Sequence, residues 1–180
     1  MGVFNKRFEE IFSAQLISII GGLIAGTILA VYKNEILLIP GMLILLPGFL
    51  EMRGNISGTL ASRLSSGLFL KVIRTDKKNT RLIKANVFAS FFLAFLVSFV
   101  LGLIAALFNY LVVGSFTSSI ILLAIIAGVI ANLIEIPLTV FMTFYLFKKG
   151  FDPNDIMGPF ITSTGDVISI LSILLALLLI

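Results

Sequence analysis

Three carboxylates stand where carboxylates are expensive. Glu51, Glu135 and Asp166 fall within or at the edge of long apolar runs, and an acid at the centre of a bilayer costs roughly 2.5–3.5 kcal/mol on insertion scales. Something must offset that cost: a bound ion, a basic side chain such as Arg53 or Arg63, or a position near the membrane interface. For Glu51, two residues from Arg53, an internal pair is a sufficient account; for Asp166 it is a weaker one, because no basic residue follows it in the chain. Its depth follows from local signals. Asp152-Pro153-Asn154-Asp155 reads as a helix start, with Asp152 as N-cap, Pro153 in the first helical position and Asp155 in the third. Counted from Pro153, Asp166 is the fourteenth helical residue, roughly 20 Å along a helix rising ~1.5 Å per residue and so near the middle of a membrane. Thr162 lies one turn earlier on the same face, with Ser163 and Ser169 nearby, so this helix offers a carboxylate flanked by hydroxyl and backbone oxygens.

A second oxygen cluster is expected on the preceding run. Asn132 and Glu135 share a helix face at spacing three, and Pro137 frees the carbonyl of Leu133. Asn132 serves equally well as an interhelical hydrogen-bonding residue without a ligand. The chain has no cysteine and no histidine, which removes disulfides, zinc and haem ligation, thiol nucleophiles and the usual general base. Hard-oxygen chemistry remains. Mg2+ suits it, because this ion prefers octahedral oxygen, keeps several waters and is commonly held by one or two carboxylates. Mn2+ and Ca2+ stay open as alternatives, as does coupling to sodium or protons, whereas zinc and copper would lack a source of selectivity. No lysine lies within a span and no motif pairs two aspartates, so an intramembrane enzyme is not expected.

The elements that must position these groups are membrane helices. Of 180 residues, 59% are hydrophobic and only 12% charged, a balance that fits lipid as the principal solvent and partner. Apolar runs fall at about 11–32, 36–52 continuing as a Ser/Gly-rich helix to about 70, 85–108, 119–147 and 153–180. These predict an all-α polytopic membrane protein of one domain, residues 1–180, with five transmembrane helices. The first run lacks a small-residue cleavage site and is expected to be retained. Lys6 and Arg7, the loop carrying Lys71, Arg74, Lys77, Lys78, Arg81 and Lys84, and the pair Lys148 and Lys149 fall on one side, against Lys33 alone on the other. By the positive-inside rule this is a multi-pass protein of the cell membrane with a cytosolic N-terminus and an extracytosolic C-terminus. The same distribution accounts for the net charge of +4 without a nucleic-acid partner. Pro40, Gly41, Pro47, Gly48 and Gly54 punctuate the second run, which continues into the Ser/Thr/Gly-rich segment 55–66. A broken second helix is therefore expected, its freed backbone groups lining a cavity or buried in protein; a kinked helix with small residues for packing is the alternative. Gly22-x-x-x-Gly26 is a weak packing signal in the first run.

Two stretches carry a resemblance. Pro47-Gly48-Phe49-Leu50-Glu51-Met52-Arg53-Gly54-Asn55 running into Thr59-Leu60-Ala61-Ser62-Arg63-Leu64, and Asp152-Pro153 followed by Ser163-Thr164-Gly165-Asp166, resemble the MgtE and solute carrier family 41 magnesium transporters. In that family a Gly-Asn turn in the second of five helices introduces a Ser/Thr-rich segment, and an Asp-Pro element precedes a pore aspartate in the fifth. The resemblance implies that Asp166 is the principal ligand of the permeating ion, that Thr162 adds an oxygen, and that Asn55 and Thr59 face the pore. It also implies a pathway built by a twofold dimer, either a homodimer or a heterodimer with a separately encoded second half, since the solute carriers fuse two such domains. Glu51, Glu135 and Asn132 have no counterpart in the family motif and rest on burial cost alone. The large cytosolic magnesium-sensing domains of bacterial MgtE are not expected ahead of the first span, nor is their gating. The function expected is magnesium transport through a dimeric pore with a central aspartate site. A cation-coupled efflux exchanger and a non-transporting assembly subunit are the alternatives.

Overall fold

The computed structural model describes residues 2–75 and 81–180, and of residues 2–6 the backbone alone. Lys77 and Lys78 therefore lie outside the described residues, as does the side chain of Lys6. The described chain is helical, without strands: α1 (Gly2–Val31), a single turn α2 (Lys33–Ile36), α3 (Met42–Phe69), α4 (Arg81–Val113), α5 (Ser119–Lys148) and α6 (Pro153–Leu177). Among the described residues, four segments are long and apolar enough to cross a bilayer, namely Arg7–Val31, α4, α5 and α6. The chain is accordingly a multi-pass membrane protein. Helix α3 is 28 residues long but less apolar than these four, because Glu51, Arg53 and its Ser/Thr/Gly-rich second half interrupt the hydrocarbon.

The break expected inside the second helix is not there. Helix α3 runs continuously through Pro47, Gly48, Gly54 and Asn55, and the interruption precedes it, at residues 37–41. Gly41 takes φ +89° at the N-cap, a conformation that disfavours a side chain, and a Cβ there would crowd Asn109 at 3.1 Å and Ile120 at 3.0 Å. Pro47, in the second turn, removes one helical donor, a loss that a packed membrane helix tolerates. Gly48 admits Leu101, whose Cδ1 would lie 2.7 Å from an added Cβ. The start of α6 matches its sequence signals: Asp152 is extended and accepts a hydrogen bond from the backbone N–H of Asn154 at 2.9 Å, and Pro153 follows.

Helices α3 and α5 pack on each other and both touch α4 and α6, so α4 and α6 occupy opposite corners of a four-helix rhombus, while α1 packs on α6 from outside. Lipid supplies no hydrophobic drive between helices, and close approach through small residues replaces it. Helix α4 presents Ser90, Ala94, Ser98, Gly102 and Ala106 inward at every fourth position, against Ala124, Ala127, Gly128 and Ala131 of α5. Its outward face carries Phe88, Phe92, Phe95 and Phe99. In α1, Gly22 and Gly26 meet nothing within 4 Å, and the packing glycine is Gly21, set against Ser163 of α6. Arg7 fastens the same two helices at one end, donating from Nε to Asp155 at 2.7 Å and from an Nη to Asp152 at 3.2 Å. That end also gathers Lys71, Arg74, Arg81, Lys148 and Lys149, whereas Lys33 lies beyond the opposite end of α1.

The α4–α5 contact is tight enough to test. A methyl group at Gly102 would lie 2.8 Å from the Cα of Ile121 and 3.1 Å from the Cβ of Ala124. Gly102→Ala is expected to cost about 1–3 kcal/mol through overpacking, read as a lower midpoint in a detergent unfolding titration. Gly26→Ala, which meets open space, should leave the midpoint unchanged or raise it. Equal midpoints for both variants would show that α4 and α5 do not approach this closely.

Candidate functional site

The polar residues of the bundle separate into a buried ionic centre and an open stripe. The centre is built on Arg53, fully buried on α3. Its three donor nitrogens reach three different side chains on two other helices. Nη1 forms an ion pair with Oε2 of Glu135 on α5, Nε donates to Oγ of Ser169 on α6, and Nη2 faces Oδ1 of Asp166 on α6 at 3.9 Å. The last distance is too long for a hydrogen bond. Gly165 makes the arrangement sterically possible, because a Cβ at that position would collide with the guanidinium. Arg53, Glu135 and Asp166 each lie near the midpoint of their helices, so the cluster sits at mid-height of the bundle.

Glu135 is 1% exposed and takes the role of counter-ion to Arg53; it does not face the outside of the chain. Asn132, equally buried, donates from Nδ2 to the carbonyl of Gly128 at 2.8 Å, a bond within its own helix, and its Oδ1 has no hydrogen-bond partner among the described residues. Leu133 is exposed while Asn132 and Glu135 are buried. The pair expected between Glu51 and Arg53 does not form. Glu51 points the other way and accepts a hydrogen bond from Asn55 Nδ2 at 3.1 Å. Ser163 packs against α1 and Ser169 holds Arg53, so neither joins Thr162.

The open stripe has two halves. On α3, Glu51, Asn55, Thr59, Ser62 and Ser66 recur about once per turn and are exposed; on α6, Asn154, Gly158 and Thr162 are exposed, and the side chain of Asp166 is 27% exposed. The two halves meet along a groove of about 310 Å³, where Gly58 and Ser62 face Asn154 and Gly158. By helical spacing, Asn55 and Glu51 on α3 and Thr162 and Asp166 on α6 extend the two exposed faces beyond this groove, at the level where Arg53 and Asp166 approach each other. Thr162 donates its hydroxyl hydrogen to the carbonyl of Gly158 at 3.1 Å, which leaves its oxygen lone pairs outward. Asp166 thus belongs to both parts, with one side towards Arg53 and the other towards the groove. Among the described residues, no three carboxylate, histidine or cysteine side chains come together as a metal cluster; the open stripe of one chain carries the carboxylates of Asp166 and Glu51 and several neutral oxygens.

Sequence reasoning reached the groove residues and named Arg53 as a candidate partner of the buried acids, but set it beside Glu51 and did not bring it together with Glu135 and Asp166. The signal was present: an arginine deep in a span requires an acid at the same depth, and counting from the helix starts puts Arg53, Glu135 and Asp166 at similar heights.

Comparison with known proteins identifies a family for this bundle. The family MgtE, described as a divalent cation transporter, matches residues 46–176, a range that begins in α3, ends in α6 and leaves α1 outside. No curated protein and no solved structure matches the chain.

Removing one member of a buried ion pair leaves an uncompensated charge, whereas replacing both with apolar groups of similar volume does not. Arg53→Met is expected to lose about 3–5 kcal/mol of stability, and the double variant R53M/E135M to regain most of it. A detergent unfolding titration of wild type and both variants checks this. A double variant no more stable than Arg53→Met would show that the pair is not what holds α3 to α5.

Proposed function

Because the chain belongs to the MgtE family of divalent cation transporters, we propose that it carries Mg2+ across the cell membrane between two copies of itself, each contributing one Asp166. The family is one of transporters rather than enzymes. The observation that carries the reading is the outward polar stripe on α3 and α6. A row of Glu51, Asn55, Thr59, Thr162 and Asp166 facing hydrocarbon would cost several kcal/mol, and burial inside the protomer does not relieve it. A second copy related by a twofold axis would cover the stripe with its own and enclose a polar passage. In this arrangement α3, the least apolar long helix, is the fifth span, lined by lipid on little of its surface.

The chemistry of the stripe agrees with a hydrated hard cation. Two Asp166 carboxylates, one from each copy, supply the one or two charged ligands that Mg2+ commonly takes from protein, and the Thr162, Asn55 and Thr59 oxygens are suited to hold its remaining waters. Mn2+ and Ca2+ are the competing ions of the same class. The basic end of the bundle, with Arg7, Lys71, Arg74, Lys148 and Lys149, faces the cytosol, so an inward flux of a divalent ion gains roughly 4.6 kcal/mol per 100 mV, twice the value for one charge.

Magnesium flux into proteoliposomes holding the purified chain, with and without an imposed inside-negative potential, tests the reading. Flux is expected to follow the potential and to disappear in Asp166→Asn. Flux that requires a sodium or proton gradient would favour a coupled exchanger over a passive pathway. Equal flux in wild type and Asp166→Asn would remove Asp166 from the pathway, and no flux from folded wild type would favour a subunit that assembles with others and does not transport.

A further inference from the structure

Arg53 is unexpected in a cation pathway. A fixed positive charge within 4 Å of Asp166 opposes any cation that approaches this carboxylate. The three contacts of the guanidinium are unequal, however. Nη1 and Nε are engaged directly with Glu135 and Ser169, whereas Nη2 stands off from Asp166 at 3.9 Å. Glu135 is closed off from the groove and Asp166 is open to it, so an entering ion can compete for one of the two carboxylates only.

We infer that Arg53 is a tethered counter-ion that competes with the permeating cation for Asp166, and that Glu135 sets the strength of this competition by holding the guanidinium back. This inference rests on the transport reading above and assigns specificity to two residues that never touch the ion. In the empty site the Nη2 arm neutralises Asp166. When a cation arrives from the groove, Asp166 turns to it and the guanidinium remains on Glu135 and Ser169. Charge counting supports the assignment. One guanidinium against the carboxylates of Glu135 and Asp166 leaves one negative charge in the cluster of each chain, and Glu51 on the stripe adds another, so two chains present more negative charge than one monovalent cation balances. A monovalent ion compensates less of this charge than a divalent one and would compete less well with Arg53 for Asp166. The internal arginine therefore favours divalent over monovalent cations without contributing a ligand.

The test compares the Mg2+ concentration giving half-maximal flux in wild type, Glu135→Gln and R53M/E135M, each also in an Asp166→Asn background as the zero-flux control. In Glu135→Gln the guanidinium loses its charged anchor but keeps an acceptor, so its charge falls on Asp166 and half-saturation should rise by about tenfold or more. In R53M/E135M the site keeps its net charge and loses the competitor, so half-saturation should fall below wild type by about tenfold, with greater inhibition by Na+. A merely structural pair predicts the opposite for the double variant, a half-saturation at or above wild type, and that result would overturn the inference even if Glu135→Gln behaves as expected. Should Glu135→Gln elute as aggregate in size-exclusion chromatography, the double variant decides alone. Normal wild-type flux abolished by Asp166→Asn, with unaltered half-saturation in both variants, would remove this inference and leave the transport reading standing. Wild type without flux would remove both.

Discussion

A guanidinium held at mid-height of a lipid-embedded bundle is the constraint around which the rest of this structure is arranged. Left unpaired in hydrocarbon, Arg53 would cost more than any single packing contact returns, so its position dictates what must surround it. It needs a carboxylate from a different helix, which fixes α5 against α3 at Glu135. It needs a second acceptor and a gap in the facing backbone, which Ser169 and Gly165 supply from α6. A small shift of any of these helices along its axis would break the set. The ion pair acts as a register pin for α3, α5 and α6 in a medium where apolar contact alone discriminates weakly between registers.

Helix α4 is fixed by another means. It carries no charge in the cluster and is held by shape, through a row of small residues that lets α5 approach within contact of its backbone, with Ser98 filling the space left by Gly128. Helix α1 has neither device in strength. Its buried residues are few, its hold on α6 consists of Gly21 against Ser163 and Arg7 against Asp152 and Asp155, and those exposed ion pairs contribute little. The matched family range, which starts beyond α1, coincides with the part of the bundle that the pin and the small-residue row hold together.

What the sequence disclosed and what it withheld divide along a physical line. Facts local to one helix were legible: the Asp152-Pro153 start, the alignment of Thr162 with Asp166 four residues on, and the polar character of the 55–66 segment. Facts that depend on how one helix is rotated against another were not. Glu135 and Asn132 lie on one face by spacing alone, but whether that face looks into the protomer or out of it is decided by α3, more than 60 residues away in sequence. The same ignorance of rotation made Gly22 and Gly26 look like packing residues when Gly21, their neighbour, is the one turned inward. Pro47 and Gly48 suggested a break because proline and glycine weaken isolated helices, yet inside the bundle α3 is held from both sides by α4 and α6 and stays continuous.

Hydropathy fails to mark α3 for an informative reason. An apolar score records how much of a helix is intended for lipid, and α3 offers lipid very little. One side is taken by α4, α5 and α6, where Arg53, Ser57 and Ser65 are buried among protein atoms; the other bears Glu51, Asn55, Thr59, Ser62 and Ser66 in the open. Helix α4 shows the contrary design, with small residues inward and phenylalanines outward, and scores highest of the four apolar helices. A long helix that is polar on both its protein side and its open side, standing among helices that follow the lipid rule, is one whose open side is made for something other than lipid. The shortfall in hydropathy and the polar stripe are the same fact seen from sequence and from structure, and both support the proposal that the ion passage runs along the helix that looks least like a membrane span.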